Sequence, residues 1–129
     1  MAGNLSDYLE NKLLDHALGT TAFTMPSPVY LALYTSATTD AGGGTEVTGG
    51  GYARQPVTFS AAAGGSKQNL AVTWPAASAA WSGPVTHVAV RDALTGGNLL
   101  FHGPLAAQKS IASGESFQFA AGALTAALD

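Results

Sequence analysis

The sequence contains no cysteine, which excludes a disulfide framework, a thiol nucleophile and a cysteine-ligated zinc site. Charged residues make up only 10% of the chain, well below the roughly 25% of an ordinary soluble domain. The formal net charge of −3 provides no electrostatic attraction to nucleic acid or to an anionic membrane. No run approaches about 18 consecutive apolar residues, so we expect no membrane-spanning segment and no membrane partner.

Alanine, glycine and threonine are abundant instead, and the 129 residues fit a single domain over 1–129, since domains usually have about 100–200 residues. A chain of this length buries a core without a disulfide or a metal ion. A domain with so few ionisable side chains is poor material for an enzyme. The composition is more typical of a building block in a larger assembly.

The N-terminal segment predicts one amphipathic α-helix over residues 5–18. Asn4 is the expected N-cap, and Gly19 is the expected C-terminal stop. Apolar side chains recur at helical spacing on one face, namely Leu5, Tyr8, Leu9, Leu13 and Ala17. The opposite face carries polar residues, so the helix is expected to dock on one side. Leu5, Leu9 and Leu13 are therefore candidate contacts with the β-domain or with a neighbouring subunit.

Residues 28–129 predict a β-domain. Val29–Thr35 is apolar on both faces, as in a fully buried strand. Later strands alternate and are separated by glycine-rich turns at roughly ten-residue spacing. Pro56 indicates an edge strand, and Leu70, Val72 and Trp74 are expected on one face. The predicted fold is mainly β, an antiparallel β-sandwich or barrel with one N-terminal amphipathic helix.

A glycine-rich segment, residues 37–51, predicts a long flexible loop inside the β-domain. Its six glycines lose much backbone entropy on ordering, and its small side chains offer little apolar area in return. We therefore expect this loop to be mobile in the free chain and to be ordered by a neighbouring copy or by another surface outside the subunit. Glu46 and Tyr52 are the candidate contacts.

Neither catalytic nor metal-binding residues are predicted. His87 and His102 are expected to be two exposed or half-buried sheet histidines, because no third ligand accompanies them. Asp92 lies at odd separation from His87, so the two would point to opposite faces of a strand. The segment 40–46 has only two carboxylates and lacks the alternating ligands of a calcium loop. We accordingly expect no cofactor.

Aromatic residues leave a second function open. Trp74 continues an alternating apolar pattern and is expected in the core. Trp81 lies in a Ser/Ala/Gly/Pro segment where burial is less expected, so it is a candidate platform for stacking a glycan. A carbohydrate-binding adhesion module is therefore one alternative function, and a small hydrolase that uses His87 or Asp92 is another.

The order of segments resembles a family of small tailed-phage structural proteins, commonly labelled tail fibre or minor tail proteins and related to head-decoration modules. The most specific pieces are EVTGGGYARQPV, residues 46–57, and TGGNLLFHG, residues 95–103. The resemblance implies a non-enzymatic virion component that associates with copies of itself and with other virion proteins. A trimer is the expected stoichiometry.

Overall fold

The computed structural model describes residues 2–127; Met1, Leu128 and Asp129, which the predicted domain included, lie outside the described residues. One helix and nine strands are present within that range. Their bounds are α1 Asp7–Leu18, β1 Ala2–Leu5, β2 Val29–Tyr34, β3 Gln55–Val57, β4 Ser66–Gln68, β5 Val72–Thr73, β6 Val85–Arg91, β7 Leu99–Lys109, β8 Gln118–Phe119 and β9 Thr125–Ala127. The predicted mainly β fold with one N-terminal helix is confirmed.

Seven strands form one sheet in the order β3-β2-β6-β7-β1-β9-β4, and β5 and β8 form a separate two-stranded ribbon. The first five strands of that order are antiparallel neighbours, whereas β1 and β9 pair in parallel. The long hairpin of β6 and β7 therefore lies at the centre, where β2 covers one side and β1 the other.

The two edge strands of this sheet, β3 and β4, lie beside each other without forming a regular ladder. An isolated antiparallel bridge joins Phe59, just after β3, to Asn69, just after β4. The Ser60 N–H donates to the Gln68 carbonyl at 2.8 Å beside this bridge. The sheet therefore curls round a core but does not close into a regular barrel.

The core consists of β-branched and leucine side chains from the sheet and aromatic rings from the ribbon. Leu31 and Leu33 on β2 and Val88 on β6 are fully buried, as the apolar run predicts. Trp74 is also buried, in edge-to-face contact with Phe117 at a centroid distance of 5.6 Å. The core placement predicted for Trp74 is confirmed.

The helix begins two residues later than predicted. Its N-cap is Ser6, whose hydroxyl accepts a hydrogen bond from the Leu9 N–H at 3.2 Å, so the assignment of the cap to Asn4 is wrong. Leu5 belongs to β1, where it pairs with Phe101 of β7. The predicted stop is confirmed, because Gly19 adopts the left-handed conformation with φ 91°.

The predictions for the edge strands are mixed. Pro56 lies in β3, an edge of the seven-stranded sheet, as expected for a residue without an N–H donor. Leu70 is exposed, so the expected shared face with Val72 and Trp74 is wrong. Asn69 is buried beside it and accepts from the Leu124 N–H at 2.8 Å, which interrupts the alternation between β4 and β5.

Candidate assembly surface

A buried polar network ties the glycine-rich loop to the sheet. Arg54 donates from Nε and Nη2 to the two carboxylate oxygens of Glu46, both at 2.9 Å. Tyr52 donates to the same carboxylate at 2.8 Å, and its hydroxyl oxygen accepts from the Leu33 N–H of β2 at 2.9 Å. Arg54 is only 7% exposed, so this bidentate pair is largely shielded from water.

The same arginine joins the two segments on which the family resemblance rests. Its Nη1 donates to the carbonyls of Ala93 and Gly96 in the β6–β7 turn, each at 2.8 Å. Glu46 and Arg54 belong to the first segment, and Gly96 belongs to the second. Residues 46–57 and 95–103 therefore meet at one guanidinium group.

The network sets the charge states of its members. Burial alone raises the pKa of Glu46, but hydrogen bonds from Arg54 and Tyr52 and the charges of Arg54 and Arg91 outweigh it and hold that pKa below its ordinary value. The hydrogen bond to Glu46 raises the pKa of Arg54. Burial raises the pKa of the Tyr52 hydroxyl. Glu46 is consequently ionised at neutral pH, and Tyr52 stays protonated as its donor.

The loop 37–51 has a surface inside the subunit that holds it. Val47 is 1% exposed, and its N–H donates to the Leu33 carbonyl at 2.9 Å. Thr48 and Ser82 exchange two hydrogen bonds at 3.0 Å. The premise that this loop finds no ordering surface within one subunit is therefore wrong, and its mobility in the free chain stays a prediction.

Glu46 and Tyr52, the candidate assembly contacts of this loop, direct their polar atoms inward. The Glu46 side chain remains 27% exposed, and Tyr52 is half-buried. Their polar groups are engaged within the subunit, so only their outer edges are available to a neighbour. Contact with another copy through these residues stays a prediction.

Trp81, the candidate glycan platform, is buried. It is 6% exposed and lies edge-to-face against Tyr52 at a centroid distance of 5.4 Å. Gly50 also approaches it so closely that an added Cβ would lie 2.8 Å from its Cδ1 atom. A sugar ring needs an exposed aromatic face, and Trp81 does not offer one, so this assignment is wrong.

Of the residues considered for catalysis or metal binding, the structure brings His102 and Asp40 together, whereas His87 and Asp92 contact other neighbours. Nδ1 of the half-buried His87 lies 2.8 Å from the Thr86 hydroxyl, whereas Asp92 accepts two hydrogen bonds from Asn98. His102 is buried rather than exposed or half-buried, and its Nε2 atom lies 2.7 Å from an Asp40 carboxylate oxygen of the loop 37–51. Over residues 2–127, no group of three or more potential metal-ligating residues comes together.

Helix α1 presents different side chains to the sheet and to solvent. Leu9 is buried in the core and Leu13 is partly buried against it, as expected for packing on the β-domain; Leu5, which lies on β1, is also partly buried there. Leu14 and Leu18 lie on the opposite face, 56% and 80% exposed. The expectation that this face is polar, and that the helix docks on one side, overlooked these two leucines, which we call the α1 ridge.

An apolar groove of about 590 Å³ opens between α1 and the edge strands. Its walls come from α1, from segment 23–28, from the sheet and from the turn between β3 and β4. The side chains that line it include Leu9, Leu13, Met25, Ser66 and Lys67. Met25 is 78% exposed at its rim. This groove cannot be predicted from local sequence patterns, because its walls are far apart along the chain.

Within residues 2–127, no helix has both the length and the apolar composition needed to span a membrane. A search of curated protein sequences found no match to the chain. The family model described as Podophage GP4 fiber I protein gp80 matches residues 4–127, nearly the whole chain. The match confirms the resemblance to tailed-phage tail fibre proteins and places the protein in the virion. The chain belongs to the Podophage GP4 fiber I protein gp80 family.

Proposed function

We propose that the chain is a non-enzymatic structural module of the phage fibre, that it associates with copies of itself as a trimer, and that other virion proteins are its further partners. The family description names a fibre protein, which favours the fibre over a head-decoration position. The proposal rests mainly on the uncovered apolar surface formed by the groove and the α1 ridge.

Exposed apolar area of this kind is costly for an isolated subunit. Single exposed leucines are common on soluble proteins, but an apolar groove together with two exposed leucines on the other side of the same helix marks an interaction site. The chain also has little charge to keep copies apart, with five basic and eight acidic residues in all. Burial between subunits removes the groove and the ridge from water and supplies the free energy of association.

The hydrogen bonds of the candidate catalytic residues support the proposal that the chain is not an enzyme. His87 and Asp92 each hydrogen bond to a neighbour on their own strand or turn, so these two residues do not pair with each other as an acid and a base. The most strongly paired ionisable groups, Glu46 and Arg54, connect a loop to a turn. Their buried geometry stabilises the fold and does not open onto the groove.

Light scattering on the purified chain over a micromolar concentration series tests self-association. The expected mass is three times the 12.9 kDa of one chain. Replacing both ridge leucines, Leu14→Ser with Leu18→Ser, should lower the mass, whereas Leu94→Ser should not, although Leu94 is a similarly exposed leucine in the β6–β7 turn. A mass of one chain at every concentration would contradict the proposed self-association.

A further inference from the structure

The α1 ridge and the groove complement each other in polarity and charge. The ridge consists of two exposed leucines, and Glu10 and Asp15 flank it on the helix surface. The groove has apolar walls, and Lys67 is the one charged side chain among the described residues that line it. The ridge, which is apolar and bordered by carboxylates, is therefore complementary to the groove, which is apolar and carries one cation.

We infer that the α1 ridge of one copy docks into the groove of a second copy. The inference deepens the proposed function and rests on it. Leu14 and Leu18 lie one helical turn apart, which is the spacing used by a helix that inserts anchors into a groove. Docking buries both leucines against the groove walls and brings Asp15 to Lys67 at the rim.

The two surfaces lie on opposite sides of the same helix. Leu9 and Leu13 line the groove from one face of α1, and the ridge leucines project from the other. Each copy can therefore give its ridge to one neighbour and receive the ridge of another. Such a contact is heterologous, and it closes into a ring when the rotation between neighbours permits. The proposed trimer is a ring of this kind.

Engineered cysteines test the contact directly, because the chain has no cysteine of its own. Leu18→Cys on the ridge and Ser66→Cys in the groove are prepared as separate proteins, mixed and oxidised. A disulfide-linked heterodimer is expected to form rapidly in this mixture. The matched control mixes Leu94→Cys with Ser66→Cys, since Leu94 is an exposed leucine in the β6–β7 turn and not on α1. Equal rates in the two mixtures would overturn the docking contact.

Charge reversal supplies an independent readout that leaves the leucines intact. Lys67→Glu should weaken association about fivefold, the effect expected for an exposed ion pair. Asp15→Lys in the same chain should restore it, because the pair is then reversed. Lys109→Glu, a matched reversal on β7 outside the groove, should leave association unchanged. Failure of the rescue would overturn the pairing of Asp15 with Lys67.

The outcomes separate this inference from the proposed function. A single-chain mass for the unmodified protein contradicts both. A trimeric mass with no preferential Leu18→Cys to Ser66→Cys disulfide overturns only the docking contact. The dye anilinonaphthalene sulfonate should bind the monomeric ridge variant and be excluded by the trimer; equal binding to both would show a groove that stays open to small apolar ligands, and would also overturn the contact.

Discussion

Replacing Arg54 with methionine tests whether one buried side chain holds the glycine-rich loop to the sheet. Methionine keeps much of the length and apolar stem but removes four hydrogen bonds, two to Glu46 and two to the carbonyls of Ala93 and Gly96. It also leaves the Glu46 carboxylate without its cation. Removing one partner of a buried pair is costly because the remaining charge stays poorly solvated.

The expected loss is about 3 kcal/mol in the free energy of unfolding, at the low end of the range for broken buried ion pairs. The lower end applies because the Glu46 side chain is 27% exposed, so water reaches the carboxylate once the arginine is gone. With an unfolding entropy of about 2 cal/mol/K per residue, 3 kcal/mol lowers the melting temperature of 129 residues by about 10 °C.

Urea unfolding followed by circular dichroism measures this loss, and a double-mutant cycle isolates the pair. The double variant Glu46→Gln with Arg54→Met should lose about 1–3 kcal/mol less free energy of unfolding than the sum of the two single variants. The reason is that the double variant leaves no unpaired buried charge. Lys109→Met, which removes an exposed cation on β7, should change stability by less than about 0.5 kcal/mol. An Arg54→Met variant within that same margin of the unmodified chain would refute the reasoning.

Four further outcomes follow from the structure. Because the folded-state pKa of Glu46 lies below its ordinary value of 4.5, its stabilising contribution is present above that value and is lost as the pH falls through the lowered pKa; Glu46→Gln should flatten this acid limb in melting curves. Leu9→Asp should cost a few kcal/mol in urea unfolding, since it places a charge in a buried apolar site. Gly50→Ala should lower the melting temperature more than Gly49→Ala: both positions have positive φ, but only the Cβ at Gly50 would come within 2.2 Å of a backbone carbonyl oxygen. Hydrogen exchange should show faster exchange in parts of 37–51 in the free chain than in intact particles; equal rates in both would contradict the predicted ordering on assembly.

The sequence predicts correctly those features of the fold that depend on neighbouring residues, such as the end of the helix and the burial of β2. Gly19 ends the helix because only glycine adopts its left-handed conformation without strain. The apolar run of β2 is buried because both of its faces are covered. Capping preference alone does not fix the start of the helix, since Asn4 and Ser6 are both good caps. The pairing of Leu5 with Phe101, 96 residues further along the chain, decides in favour of Ser6.

The buried network around Arg54 depends on contacts between residues far apart along the chain, which hydrophobic periodicity does not reveal. An arginine in an alternating strand is ordinarily expected at the surface, yet Arg54 is buried because Glu46 and two turn carbonyls converge on it. Trp81 is buried for a similar reason, since Tyr52 and Gly50 close over it. The α1 ridge is visible in the sequence, because its two leucines are four residues apart on the helix face opposite Leu9.

A cryo-electron microscopy reconstruction of the fibre in intact virions tests the central claim most directly. The account predicts fibre density that accommodates this β-domain in groups of three, in which the α1 ridge of each copy lies in the groove of the next. Copies that stand alone, or that touch one another only through surfaces other than the ridge and the groove, would contradict it.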